Sequence, residues 1–175
     1  MRHDRPGSAI RPLPGLLRAH TVAVNAAGAA GEYVTMRSKR VTGATRPGPV
    51  LLIVEDHVLL ATTIAEYLGE ELPGCRCRVC AAGEEAVRTA RTIAIDAILM
   101  DVSLPGINGI EATRQIHAFA PSIPIVILTS HDRRAYEPLA RAVGASDYIV
   151  KDAICHELVP VLSGLLRTRT RATPA

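Results

Sequence analysis

The chain has 175 residues, 48% of them hydrophobic, and a formal net charge of +3 at neutral pH. This length and composition predict one globular domain with extensions, and no stretch approaches the roughly 18 apolar residues of a membrane-spanning helix. The N-terminus also lacks the apolar segment and cleavage site of a secretory signal, so we expect a cytoplasmic protein with no membrane partner.

Charge is distributed unevenly along the chain. Residues 1–48 carry eight Lys and Arg against two acids, residues 49–166 carry nine against fifteen, and residues 167–175 carry three Arg. An acidic domain is therefore flanked by two basic segments. We predict a disordered basic arm over 1–48, a folded domain over 49–166 and a basic C-terminal tail over 167–175, because the arm is rich in Arg, Pro, Gly and Ala and has no sustained period. Met36 offers a second start, and we hypothesise that residues 1–35 are either a dispensable arm or a start-site artefact.

Five predicted strands alternate with five predicted helices from residue 50 onward. The strands are short apolar runs, and the helices carry apolar residues at three- and four-residue spacing. The predicted strands cover residues 50–54, 75–80, 97–100, 125–128 and 147–150, and the predicted helices cover 58–71, 84–92, 110–119, 132–143 and 152–166. Gly144 should end helix 4, Asp152 should cap helix 5, and Pro160 should kink helix 5 or delay its start. The alternation predicts an α/β fold with a doubly wound five-stranded parallel sheet.

Three of the four cysteines are crowded into the stretch CRCRVC at residues 75–80. Cys75, Cys77 and Val79 alternate with arginines, which indicates a strand with one buried face rather than a zinc site with two C-x2-C pairs. We expect reduced thiols, with a metal or redox site as the weaker alternative.

Polar side chains follow four of the five predicted strands. They are Glu55 and Asp56 after strand 1, Asp101 after strand 3, Thr129 and Ser130 after strand 4, and Lys151 after strand 5. Parallel strands place all these ends at one edge of the sheet, where ligands bind. Neighbouring carboxylates repel unless a cation lies among them, and oxygen ligands suit Mg²⁺. A hydroxyl and an ammonium group opposite suit a phosphoryl group, so the set predicts phosphoryl transfer to an aspartate.

These motifs, in this order and spacing, resemble the receiver domain of bacterial two-component response regulators. The resemblance covers residues 50 to about 166 and includes Asp101 within D-x-x-L-P-G-x-x-G. The stretches DHVLL and AVGASDYIVKD are most similar to the subgroup often fused to a LuxR-type helix-turn-helix. The resemblance implies a flavodoxin-like (βα)5 fold with strand order 2-1-3-4-5. It also implies a phospho-acceptor that is not an enzyme beyond its own phosphorylation and slow dephosphorylation.

The resemblance implies a role for each pocket carboxylate. Asp101 would be phosphorylated by a histidine kinase or phosphotransfer protein. Asp56 and Asp101 would bind Mg²⁺ together with the backbone carbonyl of Ser103, and Glu55 would act partly through water. The structural alternative for Glu55 and Asp56 is a helix N-cap alone.

The resemblance also implies phosphoryl-binding and switch residues. Thr129 would hydrogen-bond the phosphoryl group, Lys151 would pair with it, and Tyr148 would swing inward as an aromatic switch. Ordinary strand packing is the alternative for Tyr148. Ser103 and His131 are candidates for tuning the lifetime of the phosphoryl group, since both lie close to the site in sequence.

The sequence departs from the family pattern at two points. Asp152 stands where the family commonly has proline, which leaves the peptide geometry after the lysine open. The chain shows no output domain, so we expect either a stand-alone receiver or a truncated one.

Its partners would be a kinase or phosphotransfer protein, a downstream protein reached through the helix 4–strand 5–helix 5 face, and a second copy of the chain. A DNA-binding regulator acting through the basic tails is the main alternative, although nucleic-acid binding is not expected without an output domain. A small-molecule enzyme is weaker because no Gly-rich loop follows strand 1.

Overall fold

The computed structural model describes residues 48–172, with side chains described through residue 168. A five-stranded parallel sheet has the order β2-β1-β3-β4-β5, which confirms the predicted fold class and strand order. The elements in chain order are β1 (Val50–Val54), α1 (Val58–Glu71), β2 (Arg76–Cys80), α2 (Gly83–Thr92), β3 (Ala97–Met100), α3 (Gly109–Phe119), β4 (Ile125–Thr129), α4 (Arg133–Ala142), β5 (Asp147–Val150), a 3-10 turn (Lys151–Ala153) and α5 (Ile154–Ala172). The arm before Gly48 and residues 173–175 lie outside the described residues.

Helices cover the sheet on both faces, so the central strands are buried on each side. Alternate residues of β1 enter two separate apolar clusters: Leu52 and Val54 pack with α2, α3 and α4, whereas Leu51 and Ile53 pack with α1 and α5. All residues of β3 and β4 are buried, as expected for parallel strands sandwiched between helices. This double layer fixes the carboxyl ends of the strands, where the polar residues emerge.

Four local details differ from the sequence prediction or complete it. Asp152 lies inside the 3-10 turn, and α5 begins at Ile154, so the prediction that Asp152 caps the helix is wrong. Helix α5 contains Pro160 and continues to Ala172, beyond the predicted end, because a helix anchored by its packed turns propagates readily through Arg. Gly144 follows α4 with φ +99°, which confirms it as the helix stop. No peptide bond in the described range is cis, so the bond between Lys151 and Asp152 is trans.

The cysteine stretch forms a strand, as the alternation predicted. Cys75 and Cys77 are buried on the face covered by α1, and Cys80 is buried on the opposite face. All four cysteines are free thiols. Within residues 48–172, none of the helices combines the length and apolar character needed to cross a bilayer.

Candidate functional site

Three carboxylates meet at the carboxyl edge of the sheet. Glu55 and Asp56 directly follow β1, and Asp101 directly follows β3, the neighbouring strand. One oxygen from each side chain lies within 4.8 Å of the others. Glu55 and Asp101 are buried, at 3% and 4% exposure, whereas Asp56 is exposed. The sheet therefore brings the three predicted acids together.

Lys151 supplies the cation that faces two of these acids. Its ammonium lies 2.7 Å from Glu55 Oε2 and 2.9 Å from Asp101 Oδ2. Burial lowers the pKa of Lys151, but the hydrogen bonds to Glu55 and Asp101 outweigh burial, and the pKa lies above its ordinary value. Burial raises the pKa of Glu55 and outweighs the opposing effect of Lys151. Lys151 is therefore held as an internal counter-ion rather than a solvated surface charge.

Asp101 is held rigidly by its backbone while one of its oxygens stays free. Its N–H donates to the Val54 carbonyl at 2.9 Å, which extends the β1–β3 ladder by one residue. The backbone of Gly109 packs against the Asp101 carbonyl so closely that any added Cβ would collide with it. Asp101 Oδ1 is buried and has no hydrogen-bond partner among the described residues. That oxygen is available to a metal ion or an electrophile.

The oxygen ligands fit a magnesium ion. Mg²⁺ takes six oxygen ligands at about 2.1 Å, so opposite ligands are about 4.2 Å apart, and it prefers one or two carboxylates together with waters. The spread of 4.8 Å among the three acids and the unpaired Asp101 Oδ1 are compatible with that geometry after small side-chain shifts. The acidic cluster is therefore suited to a hard divalent cation.

Thr129, His131 and Tyr148 form a connected group beside the acids. Thr129 ends β4 and is 1% exposed, and its hydroxyl oxygen accepts the His131 N–H at 3.4 Å. The Tyr148 hydroxyl donates to the His131 carbonyl at 3.0 Å. Tyr148 is fully buried, so the structure holds it in the inward orientation, and the predicted swing stays a prediction. The loop after β4 is thus tied to Thr129 at one end and to β5 at the other.

A bridge crosses from the loop after β3 to the loop after β4. Ser103 Oγ and His131 Nε2 lie 2.9 Å apart, within hydrogen-bond distance. The His131 ring also stacks on Tyr136 of α4, with ring centroids 4.3 Å apart. The sequence had suggested that Ser103 and His131 lie near the site, but not that they contact each other or that Tyr136 supports the imidazole.

A second residue that sequence reasoning missed is Glu84, in the first turn of α2. Its carboxylate accepts the Ile107 N–H at 2.8 Å and packs against Gly106, whose φ of +75° suits the turn after Asp101. Hydrogen bonds from its own backbone N–H and from Ile107 lower the pKa of Glu84. Acidic residues are common at helix N-termini, so nothing in the sequence indicated that Glu84 accepts a hydrogen bond from the loop after β3.

The carboxyl edge of this doubly wound parallel sheet carries three clustered acids, and one of them is the buried Asp101, which has one free oxygen and is paired with a lysine. This arrangement is suited to a domain that accepts a phosphoryl group. Residues 51–163 match the response regulator receiver domain. The chain belongs to this family, and its membership supports a phospho-acceptor role in two-component signalling.

Similar proteins agree with this assignment. The chain is 36% identical over 113 residues to the response regulator UvrY of Escherichia coli strain K12, covering 64% of this chain and 51% of that protein. It is 34% identical over 113 residues to the response regulator GacA of Pseudomonas aeruginosa, covering 64% of this chain and 52% of that protein. The chain thus spans about half the length of the curated relatives it matches.

Solved structures show the same architecture. A LuxR-family response regulator from Aurantimonas sp. SI85-9A1 superposes with a TM-score of 0.65 at 32% identity, covering 70% of this chain and 87% of that chain. The receiver domain of a Pseudomonas aeruginosa PAO1 sensor histidine kinase superposes with a TM-score of 0.62 at 34% identity, covering 69% and 98%. The latter structure has a magnesium ion coordinated in its active-site cleft.

Proposed function

We propose that this chain accepts a phosphoryl group on Asp101 from a histidine kinase or phosphotransfer protein. A carboxylate oxygen of Asp101 attacks the phosphorus of a phosphohistidine, the P–O bond forms, and the P–N bond to the imidazole breaks. The observation that carries this proposal is the buried Asp101 with its Oδ2 on Lys151 and its Oδ1 free. The chain would act on no other substrate, so its only catalysis would be its own phosphorylation and slow dephosphorylation.

The other pocket residues have separate roles in this proposal. Asp56, Asp101 and the Ser103 backbone carbonyl would hold Mg²⁺, with Glu55 acting partly through water. When bound, Mg²⁺ neutralises charge on the transferred phosphoryl oxygens. The Lys151 ammonium would move from the Asp101 carboxylate to a phosphoryl oxygen without leaving the pocket, because it already lies 2.9 Å from Asp101.

Signal output would begin at Thr129. A phosphoryl group on Asp101 would accept a hydrogen bond from the Thr129 hydroxyl and draw Thr129 toward the pocket. The Thr129 hydroxyl is bonded to the His131 N–H, and the His131 carbonyl is bonded to Tyr148. Movement of Thr129 would therefore change the β4–α4 loop and the face formed by α4, β5 and α5, which a downstream protein or a second copy of the chain would read.

Acetyl phosphate or phosphoramidate with Mg²⁺ provides the direct test by intact mass. The wild type should gain one phosphoryl group, and Asp101→Asn should gain none. Asp152→Asn is the matched control, because Asp152 is exposed and directly follows Lys151 yet lies outside the acidic triad. A phosphoryl group on the Asp101 variant, or equal labelling in EDTA, would remove Asp101 or Mg²⁺ from the reaction.

The bridge between Ser103 and His131 would slow hydrolysis of the phosphoryl group. It joins the two loops that flank Asp101 and would restrict the approach of water to the acyl phosphate. His131→Ala and Ser103→Ala should both shorten the lifetime of the phosphorylated protein after removal of the phosphodonor. His156→Ala, an exposed histidine of α5, is the control that should leave the lifetime unchanged. Equal lifetimes in all four proteins would exclude the bridge as a barrier.

The DNA-binding alternative rests on the basic arm and tail, most of which lie outside the described residues. It remains a prediction, and a salt-dependent shift of DNA by the full chain that disappears on removing residues 1–48 would favour it.

A further inference from the structure

Two thiols touch at the amino end of β2, far along the sheet from the acidic pocket. The sulfur atoms of Cys75 and Cys77 are 3.8 Å apart. Alternate residues of an extended chain have Cα atoms about 6.6 Å apart, so the two side chains must lean toward each other to make this contact. Both residues are buried, at 5% and 3% exposure, beneath α1. The proposed phosphorylation chemistry uses neither thiol.

Cys75 lies just outside the strand ladder, so the sheet does not fix its backbone N–H. Its N–H donates to the Leu72 carbonyl in the turn before β2, whereas the Arg76 N–H donates to the carbonyl of Pro49, directly before β1. Pro73 and Gly74 in this turn are exposed, and among the described residues β2 is an edge strand that pairs with β1. Cys75 can therefore approach Cys77 without breaking a bond of its N–H to the sheet.

The contact also divides the two sulfurs into different roles. The hydrogen bond from Cys77 lowers the pKa of Cys75, whereas that same bond and burial raise the pKa of Cys77. Cys75 is thus the thiol with greater thiolate character, and the thiolate is the form that reacts with oxidants. Cys77 stays protonated and adjacent, as a resolving thiol requires.

We propose that Cys75 and Cys77 form a redox-responsive dithiol that a peroxide closes to an intrastrand disulfide. The Cys75 sulfur attacks one peroxide oxygen, the O–O bond breaks, and a sulfenic acid and water form. The Cys77 sulfur then attacks the sulfenic sulfur, the S–S bond forms, and a second water leaves. Two thiols and one hydrogen peroxide thus give one disulfide and two waters.

Such a disulfide would be reversible rather than structural. Alternate residues of an ideal strand have Cα atoms about 6.6 Å apart, near the upper limit of about 6.8 Å for disulfides, so closure would strain the chain where β2 begins. Strained disulfides are more easily reduced than structural ones and serve regulatory purposes. The Cys75–Cys77 pair is separate from the proposed phosphorylation site, because the pair lies at the amino end of β2 and Asp101 follows the carboxyl end of β3.

Peroxide treatment of the full folded chain, followed by thiol alkylation and trypsin digestion, tests the proposal without any substitution. Trypsin cleaves after Arg76 and after Arg78, so the two cysteines fall into separate peptides. We expect the intact protein to lose two hydrogen masses. The peptide ending at Arg76 should stay linked to the dipeptide Cys77–Arg78 until dithiothreitol separates them.

Single substitutions provide the matched controls. Cys80→Ala and Cys155→Ala should still lose two hydrogen masses, because Cys80 lies on the other face of the sheet and Cys155 lies in α5. Cys77→Ala lacks both the resolving thiol and the contact that favours the Cys75 thiolate, so it should lose no hydrogen masses. Full alkylation of both Cys75 and Cys77 at peroxide levels that oxidise Cys155 would overturn the proposal, as would a disulfide that maps to another pair.

Discussion

Replacing Lys151 with methionine should destabilise the protein more than removal of any surface cation. Lys151 is the partner of two buried acids, at 2.7 Å from Glu55 and 2.9 Å from Asp101. Without it, carboxylate oxygens within 4.8 Å of each other would repel by about 3 kcal/mol at an effective dielectric constant of about 20. Breaking a buried ion pair by removing one partner costs about 3–5 kcal/mol, so we expect a loss of about 3 kcal/mol in unfolding free energy at neutral pH.

Urea unfolding in EDTA measures this loss. Arg141→Met is the matched control, because Arg141 pairs with Glu137 at 2.7 Å but its side chain is 53% exposed, and such pairs contribute under about 1 kcal/mol. Added Mg²⁺ should stabilise Lys151→Met more than the wild type, since the metal replaces the missing positive charge. Equal unfolding free energies for the two variants in EDTA would refute the view of Lys151 as an internal counter-ion.

Three further predictions concern the pocket and its supports. Tyr148→Phe should lower the unfolding free energy by about 1 kcal/mol, because it removes the 3.0 Å hydrogen bond to the His131 carbonyl. Tyr67→Phe should lower it less, because the hydrogen bond from Tyr67 to the Cys155 carbonyl is 3.4 Å long. Equal losses in the two variants would contradict this prediction. Gly109→Ala should destabilise by about 1–3 kcal/mol because the new Cβ meets the Asp101 carbonyl, whereas Gly164→Ala, with open space around it, should stabilise α5 by about 0.5–1 kcal/mol; thermal unfolding of both checks the pair. The pKa of Lys151 is raised in the folded state, so its contribution to stability is complete below its ordinary pKa of 10.5 and is lost as the pH rises through its folded-state pKa. The difference in unfolding free energy between wild type and Lys151→Met should therefore shrink above pH 10.5. A difference that stays constant would count against the raised pKa.

The sheet and the identity of the pocket acids could be predicted because they depend on local patterns. A short apolar run such as Val50–Val54 is typical of a buried strand, and parallel connections place the ends of all strands at one edge. That rule alone brings Asp101 and Lys151 together although 50 residues separate them. Element ends were less predictable, because the end of α5 depends on helix propagation rather than on apolar spacing.

Contacts between loops could not be predicted in the same way. The hydrogen bond of Glu84 to Ile107 and the bridge from Ser103 to His131 depend on loop conformation and side-chain rotamers, which no periodicity encodes. Glu84 has the composition of an ordinary helix N-terminus, and its selection of one distant N–H follows from the packing of α2 beside α3. The sequence therefore indicated which residues surround Asp101 but not which hydrogen bonds orient them.

The pocket combines two requirements that oppose each other. A nucleophilic carboxylate needs a free oxygen, yet a buried carboxylate without partners is costly. Lys151 resolves the conflict because its single ammonium satisfies Asp101 Oδ2 and Glu55 together and leaves Oδ1 free. If Asp101 is phosphorylated as proposed, the same ammonium can follow the new charge over a short distance, so the ion pair with Glu55 can persist. Glu55, whose carboxylate pairs with this lysine at 2.7 Å, would then set the position of the cation in both states of the domain.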